Sequence, residues 1–256
     1  MDYQFVEVDG VTTRYIVKGN AGEALPIFLV HGWGCSIEVV AGLIDQLSKS
    51  AQVIAIDLPG HGKSTLPTGV WGTKEFATFL GKFLDRISVP KCNALGHSVG
   101  GRFLSMLAAL EPEKVNKLIL AGASGIKPKR KLKHYFKVSL AKTGKFAAEY
   151  FGKYGQKLKD KIYGKIASPD YASAGELRSS FIKIINEDIR ESFSKIKSDT
   201  LLLWGESDLE SPLTSAKIFK DLIPKSELLV LKNAGHYSFI DQPDRFILEV
   251  KKFLRE

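Results

Sequence analysis

The sequence predicts an α/β protein built on a mostly parallel β-sheet, and three observations carry that prediction. Short apolar runs of strand length alternate with longer segments whose apolar residues recur at helical spacing. Several of the strand-like runs end in glycine-containing loops. One of these loops, Gly96-His97-Ser98-Val99-Gly100, sets a serine between a strand-like and a helix-like run. A parallel sheet is apolar on both faces and needs helices above and below it, which is what the alternation supplies.

Taken in order, the chain opens on a hairpin. Tyr3 to Val8 and Val11 to Lys18 are strand-like, and Asp9-Gly10 between them is a strong tight-turn signal. Pro26 precedes the buried-strand run Ile27 to Val30, which ends in His31-Gly32-Trp33-Gly34 and gives way to a helical pattern of Ile37, Val40, Ile44 and Leu47. A second buried run, Val53 to Ile56, leads into Asp57-Leu58-Pro59-Gly60-His61-Gly62-Lys63-Ser64. A strand followed by Gly-Lys-Ser suggests a phosphate-binding loop, but that loop needs glycine where Asp57 stands, and Pro59 removes a backbone N–H from the cradle. Phe76, Phe79, Leu80, Phe83, Leu84 and Ile87 then define an amphipathic helix. Lys91 to Leu95 is the strand before the serine, and Phe103, Met106, Leu107 and Leu110 mark the helix after it. Lys117 to Ala121 is a further strand, and Thr200 to Trp204 and Leu228 to Leu231 are buried strands, with helices expected near Pro212 to Leu222 and over Phe246 to Leu254.

Composition narrows the possibilities. The 256 residues are 44% hydrophobic and 25% charged, which suits one large globular unit, and no apolar run reaches the roughly 20 residues of a membrane span. The two cysteines, Cys35 and Cys92, and an N-terminus without a basic-then-apolar leader lead us to expect a cytoplasmic chain without disulfides. Charge is unevenly spread. From Lys127 to Asp170 there are thirteen lysines and arginines against three acids, a net +10, while the remainder holds 24 basic and 25 acidic residues, a net −1. Aromatic residues interleave with the lysines there, and we read the segment as a helical insertion continuing to about Asp199.

The residues that bear chemistry sit at strand ends. A serine hydroxyl needs a general base, and the base needs a carboxylate to fix its tautomer. In a strand–serine–helix elbow the chain order is serine, acid, histidine. Gly205-Glu206-Ser207-Asp208 and Gly235-His236 follow two strands, so Ser98, Asp208 and His236 are expected as nucleophile, orienting acid and base, with Glu206 and Glu210 as rival acids. The amides of Val99 and Trp33 are expected to form the oxyanion hole, and the side chains of Trp33 and His97 to line the substrate pocket. His31, His61 and His97 stand beside glycines in tight loops, where local hydrogen bonding is the plainer role, and His134 is expected at the surface. No histidine spacing or cysteine pairing indicates zinc, and no cofactor is expected.

With these motifs in hand, the chain resembles the α/β-hydrolases, in particular the capped esterase and C–C hydrolase group. The resemblance rests on His31-Gly32-Trp33-Gly34, the Asp57 to Ser64 octet, Gly96 to Gly101, Trp204 to Asp208 with Pro212, and Gly235-His236 with Pro243 and Phe246. It implies an eight-stranded sheet with a helical cap after strand six, hence a core of residues 1–125 and 199–256 and a cap of residues 126–198. Val99 replaces a commoner methionine, and Asp241 stands where glutamate is frequent. Serine at position 98 argues against the dehalogenase and epoxide hydrolase branches, which use aspartate there. Trp33-Gly34-Cys35-Ser36 departs from the Gly-Pro-Gly usual in cleavers of ring-fission products, and the His-Gly-Trp-Gly form resembles carboxylesterases acting on acyl-carrier-protein methyl esters.

The expected activity is therefore hydrolysis of carboxylic esters through an acyl-enzyme. C–C bond or acyl-carrier-protein ester hydrolysis on the same triad is the alternative within the family, and a ligand receptor on a hydrolase scaffold is the alternative outside it. A small-molecule ester is the expected partner. The basic segment, densest at Lys129, Arg130, Lys131 and Lys133, suits an acidic protein or an anionic surface; it carries no nucleic-acid-binding motif, and no nucleic-acid partner is expected.

Overall fold

The computed structural model describes residues 2–22, 24–127 and 174–255. Eight strands form one sheet: β1 (Tyr3–Val8), β2 (Val11–Lys18), β3 (Ile27–Val30), β4 (Val53–Ile56), β5 (Cys92–His97), β6 (Val115–Ala121), β7 (Asp199–Gly205) and β8 (Ser226–Leu231), in the order β1-β2-β4-β3-β5-β6-β7-β8. The first two pair as an antiparallel hairpin through Asp9 and Gly10, at φ 46° and 77°, the left-handed pair that a two-residue hairpin turn requires. β2 lies antiparallel to β4, and every pairing from β4 to β8 is parallel. The strands of the parallel part therefore all deliver their C-terminal ends to one rim of the sheet.

The sheet is covered on both faces, and strand alternation assigns each residue to its layer. Phe28, Val30, Ile54, Ile56, Leu118, Leu120, Leu202 and Trp204 point into one core, while Ile27, Leu29, Val53, Ala55, Ile119, Ala121, Leu201 and Leu203 point into the other. The first core is closed by α2 (Thr73–Arg86), α3 (Val99–Leu110), α4 (Arg178–Asn186), α5 (Arg190–Phe193) and α6 (Leu213–Leu222), with Phe76 stacked on Phe103 at a centroid distance of 4.5 Å. The second is closed by α1 (Ala41–Leu47), α7 (Ser238–Asp241) and α8 (Pro243–Arg255) through Leu43, Ile44, Phe239, Phe246 and Val250.

Three local readings change in the structure. The helical pattern from Ile37 begins as a 3₁₀ turn over Ile37–Val40, whose first N–H, that of Ile37, is satisfied by the Asp57 carboxylate. The last strand is only half-buried: β8 is the sheet edge, so Leu228 and Leu229 are partly covered and Val230 is 40% exposed. Residues 174–198, the end of the segment read as an insertion, share the main core through Leu177, Phe181, Ile184, Ile189, Phe193 and Ile196. Their anchor is polar as well. Buried Arg102 on α3 donates to Thr73 Oγ1 at 2.7 Å and to the Glu187 carbonyl at 3.0 Å, and the Glu187 carboxylate accepts Thr73 N–H at 2.8 Å. Burial draws the Arg102 guanidinium down to about 10, against the pull of Glu187 and Asp188. The rest of the expected cap, residues 128–173, with Lys129, Arg130, Lys131, Lys133 and His134, lies outside the described residues.

Candidate active site

Ser98 is held in a conformation that side chains other than glycine rarely adopt, φ 52° and ψ −118°, between β5 and the first residue of α3. Such backbone strain costs of order 1–3 kcal/mol and persists only where its surroundings enforce it. Here Ser98 N–H donates to the Ala121 carbonyl at 3.0 Å, and the Ser98 carbonyl accepts N–H bonds from Arg102 and Ser124. The flanking glycines allow the close approach. A Cβ on Gly96 would lie 2.5 Å from the Gly101 nitrogen, and one on Gly100 would lie 2.4 Å from the Val30 carbonyl oxygen. The serine is thus pushed out of an otherwise buried stretch, and the Val99 N–H beside it is the first of the amides that a helix start leaves without an intrahelical partner.

Two loops at the same rim bring an acid and an imidazole together. After β7 the chain folds around the Asp208 carboxylate: Oδ1 accepts the N–H groups of Glu210 at 2.9 Å and Ser211 at 2.8 Å. Trp204 Nε1–H donates to the Ser211 carbonyl, and Ser211 Oγ–H donates to the Ala123 carbonyl, pinning this loop to the end of β6. Asp208 Oδ2 is left for His236, whose Nδ1 lies 2.9 Å away. A carboxylate that already accepts two N–H bonds takes a third from the ring, so Nδ1 carries a hydrogen. The His236 loop is fixed by Gly235 N–H on Asp241 Oδ2 at 2.7 Å and by His97, whose Nε2 lies 3.0 Å from the His236 carbonyl oxygen. An imidazole oriented by a buried carboxylate is arranged to take up a proton at its other nitrogen.

The loop after β3 closes the third side. A Cβ on Gly32 would come within 3.3 Å of the Ser98 Cβ, so the Gly32-Trp33 backbone runs directly against the elbow. The Trp33 indole is buried, edge-on to His61 at 4.7 Å and against Phe181 at 5.0 Å. His97, expected in the pocket, is 1% exposed and packs beneath the histidine loop against His236, Tyr237 and Phe239. Burial, reinforced by His236, lowers its ring to about 3, which keeps it neutral. His31 is equally buried and accepts Leu58 N–H on Nε2, and burial followed by the neighbouring His61 lowers it to about 3 as well. His61 lies with Nδ1 3.1 Å from the Pro59 carbonyl oxygen.

The Asp57 octet has a structural explanation. The Asp57 carboxylate is fully buried and accepts from Arg14 Nε at 2.6 Å, Ile37 N–H at 2.8 Å and Lys63 N–H at 2.8 Å. Within the octet, the Lys63 N–H is turned onto the protein's own anion.

Two neighbours of the site, Gly122 and Phe181, were not singled out by pattern. Gly122, at φ 52°, leaves room for the acid–imidazole pair, since a Cβ there would lie 3.0 Å from Asp208 Oδ2; the run Ala121-Gly122-Ala123-Ser124-Gly125 after β6 is its signal. Phe181 over Trp33 has no local signal. Glu210, weighed as a rival acid, does not face Nδ1: its Oε2 lies 3.5 Å from His236 Nε2. Glu206 is exposed. Among the described residues no cluster of metal-ligating side chains is present, and no helix is long and apolar enough to cross a membrane.

Comparison with known proteins agrees with this architecture. The family profile described as the alpha/beta hydrolase fold matches residues 26–243. A pimeloyl-[acyl-carrier protein] methyl ester esterase of Aliivibrio fischeri is 28% identical over 92% of this chain and 95% of its own. A 2-hydroxy-6-oxo-2,4-heptadienoate hydrolase of Pseudomonas putida is 27% identical over 92% of this chain and 91% of its own. The crystal structure of an enol-lactonase from Burkholderia xenovorans superimposes with a TM-score of 0.77 at 22% identity, covering 99% of this chain and 100% of that one.

Proposed function

The chain belongs to the α/β-hydrolase fold family, and on that premise we propose that it is a serine hydrolase that cleaves carboxylic esters through an acyl-enzyme. The observation that carries the reading is the buried Asp208 carboxylate on His236 Nδ1 at 2.9 Å, at the rim where Ser98 is held in its strained turn. In this mechanism His236 Nε2 takes the Ser98 hydroxyl proton as Oγ bonds to the ester carbonyl carbon. The negative charge that develops on the carbonyl oxygen is met by the Val99 and Trp33 N–H groups. The tetrahedral intermediate then expels the alcohol, whose oxygen receives the proton from Nε2. Water repeats the sequence on the acyl-enzyme, releasing the acid and restoring Ser98.

The methyl ester esterase relative supports ester chemistry. The Pseudomonas putida hydrolase supports a second reading, C–C cleavage on the same three residues. The proposal includes a cytoplasmic location, a small-molecule ester as substrate, and an acidic protein or an anionic surface as the partner drawn to the basic segment around Lys129 to Lys133. A panel of esters, thioesters, lactones, amides and vinylogous diketo acids, run beside Ser98→Ala, tests the activity and separates the two readings. Loss of about 10⁴-fold or more in the variant on the preferred substrate is expected. Near-normal turnover by Ser98→Ala would end the serine-nucleophile reading.

A further inference from the structure

Glu210 is two residues beyond the orienting acid, yet its carboxylate serves the opposite nitrogen of the same ring. Two N–H bonds to Asp208 Oδ1, from Glu210 and Ser211, wind the loop tightly, and they turn Leu209 outward to 93% exposure. The Glu210 side chain folds back so that Oε2 stands 3.5 Å from His236 Nε2, while Asp208 Oδ2 stands 2.9 Å from Nδ1. Among the described residues, the groups facing the ring from its neighbouring elements include Asp208 and Glu210 on the loop after β7, His97 at the end of β5, and Tyr237 on its own loop. Of these, Glu210 is the one that brings an acid to the Nε2 side.

That side is where a leaving group must pass. Resting on the assignment of Ser98 and His236 as nucleophile and base, we propose that Glu210 is a specificity-determining residue that selects leaving groups carrying a positive charge close to the scissile bond and rejects anionic ones. The departing atom has to come within hydrogen-bond reach of Nε2 to receive its proton, roughly 3 Å, which sets it at most about 7 Å from the Glu210 carboxylate. A cation two carbons beyond the departing atom then lies within reach of Oε2, and an anion there meets repulsion. Glu210 is 62% exposed at its side chain, so solvent weakens the effect and a preference of about three- to tenfold is expected, not an absolute requirement.

The test uses two methylphosphonothiolates that differ only in the leaving thiol: 2-(trimethylammonio)ethanethiol, and its neutral isostere 3,3-dimethylbutanethiol. In both, Ser98 Oγ forms the P–O bond, the P–S bond breaks, and the serine proton passes through His236 to the departing sulfur. The ratio of second-order labelling rates, cationic over neutral, is measured at low salt for the unmutated chain, E210Q, E210K and E206Q. We expect the cationic reagent to be preferred by the unmutated chain, the ratio to fall about three- to tenfold in E210Q and to invert in E210K, and E206Q, which removes the same charge from the same loop, to keep the original ratio within twofold. A ratio unaffected by E210Q and E210K, or shifted equally by E206Q, overturns the proposal. Absence of Ser98 labelling by both reagents in the unmutated chain overturns the nucleophile assignment instead, and the two failures are thereby distinct.

Discussion

Two buried aspartates occupy equivalent positions in this molecule, each in a loop at the C-terminal end of a strand and each near a histidine, and they do different work. Asp57, after β4, is enclosed by Arg14, Ile37 N–H and Lys63 N–H, and His31 stands no nearer than 4.0 Å with its Nε2 bonded to Leu58 N–H. Asp208, after β7, has two backbone donors on one oxygen and gives the other to His236. The difference lies in the third partner. An arginine neutralises Asp57 permanently and locks β2, the 3₁₀ turn and the octet together, whereas Asp208 gives its second oxygen to an imidazole, whose far nitrogen faces Glu210. Burial and proximity to histidine do not by themselves give a carboxylate to an imidazole.

Exchanging each aspartate for asparagine is the strongest way to break this contrast. Asp208→Asn should lower kcat about 10⁴-fold through the wrong imidazole tautomer while leaving the fold in place. Asp57→Asn should do the reverse, because it leaves the buried Arg14 guanidinium with the half-exposed Glu38 carboxylate at 2.8 Å as its charged partner: a loss of about 1–3 kcal/mol in urea unfolding, with kcat per folded molecule within about tenfold of the original. Similar kinetic losses in both variants would erase the distinction.

The histidines sharpen it through pH. His31 and His97 protonate near 6.5 in the unfolded chain and only near 3 when folded, burial being the main cause. Unfolding therefore takes up protons in that window, and stability that is complete above about pH 6.5 is lost progressively as pH falls toward 3. Each ring should remove about 2 kcal/mol between pH 7 and pH 5, read by urea unfolding at the two values. An unfolding free energy constant across that range would contradict their neutral, buried state.

Glycines beside the two sites give the smallest contrast. Gly62 has φ +56°, and a Cβ there would sit inside the Asp57 carboxylate, so Gly62→Ala should cost at least about 1–2 kcal/mol. Gly235, beside His236, meets nothing nearer than Asp241 Oδ2 at 3.6 Å, and Gly235→Ala should change stability by less than about 0.5 kcal/mol. Thermal or urea unfolding of the two variants is sufficient to compare them; equal losses would show that the Asp57 loop is not the tighter of the two.

Much of this molecule is readable from local order alone. A short apolar run is a property of neighbouring residues, and such runs, with the Asp9-Gly10 turn, mark all eight strands because a strand covered on both faces reads as continuously apolar. The serine elbow is legible for the same reason: glycines at 96 and 100 are dictated by the approach of β5 to α3 within a few residues of chain. Asp208 and His236 follow from chain order and from ending adjacent strands. What the tertiary structure alone decided is what the rings other than His236 meet. His31, His61, His97 and His236 all stand beside a glycine or a glycine loop, and nothing within five residues separates them. Their roles are set by Leu58, Pro59, the His236 carbonyl and Asp208, groups that arrive from other loops once the sheet is assembled. The same holds for Glu210, which differs from Asp208 by two positions in sequence and by the side of the imidazole in space, and for residues 174–198, whose apolar spacing reads as helix anywhere but whose burial against β-sheet and α3 depends on the anchor of Arg102 to Thr73 and Glu187. Periodicity is local and is written in the chain; partner choice is a distance between residues far apart in sequence, and only the folded chain sets it.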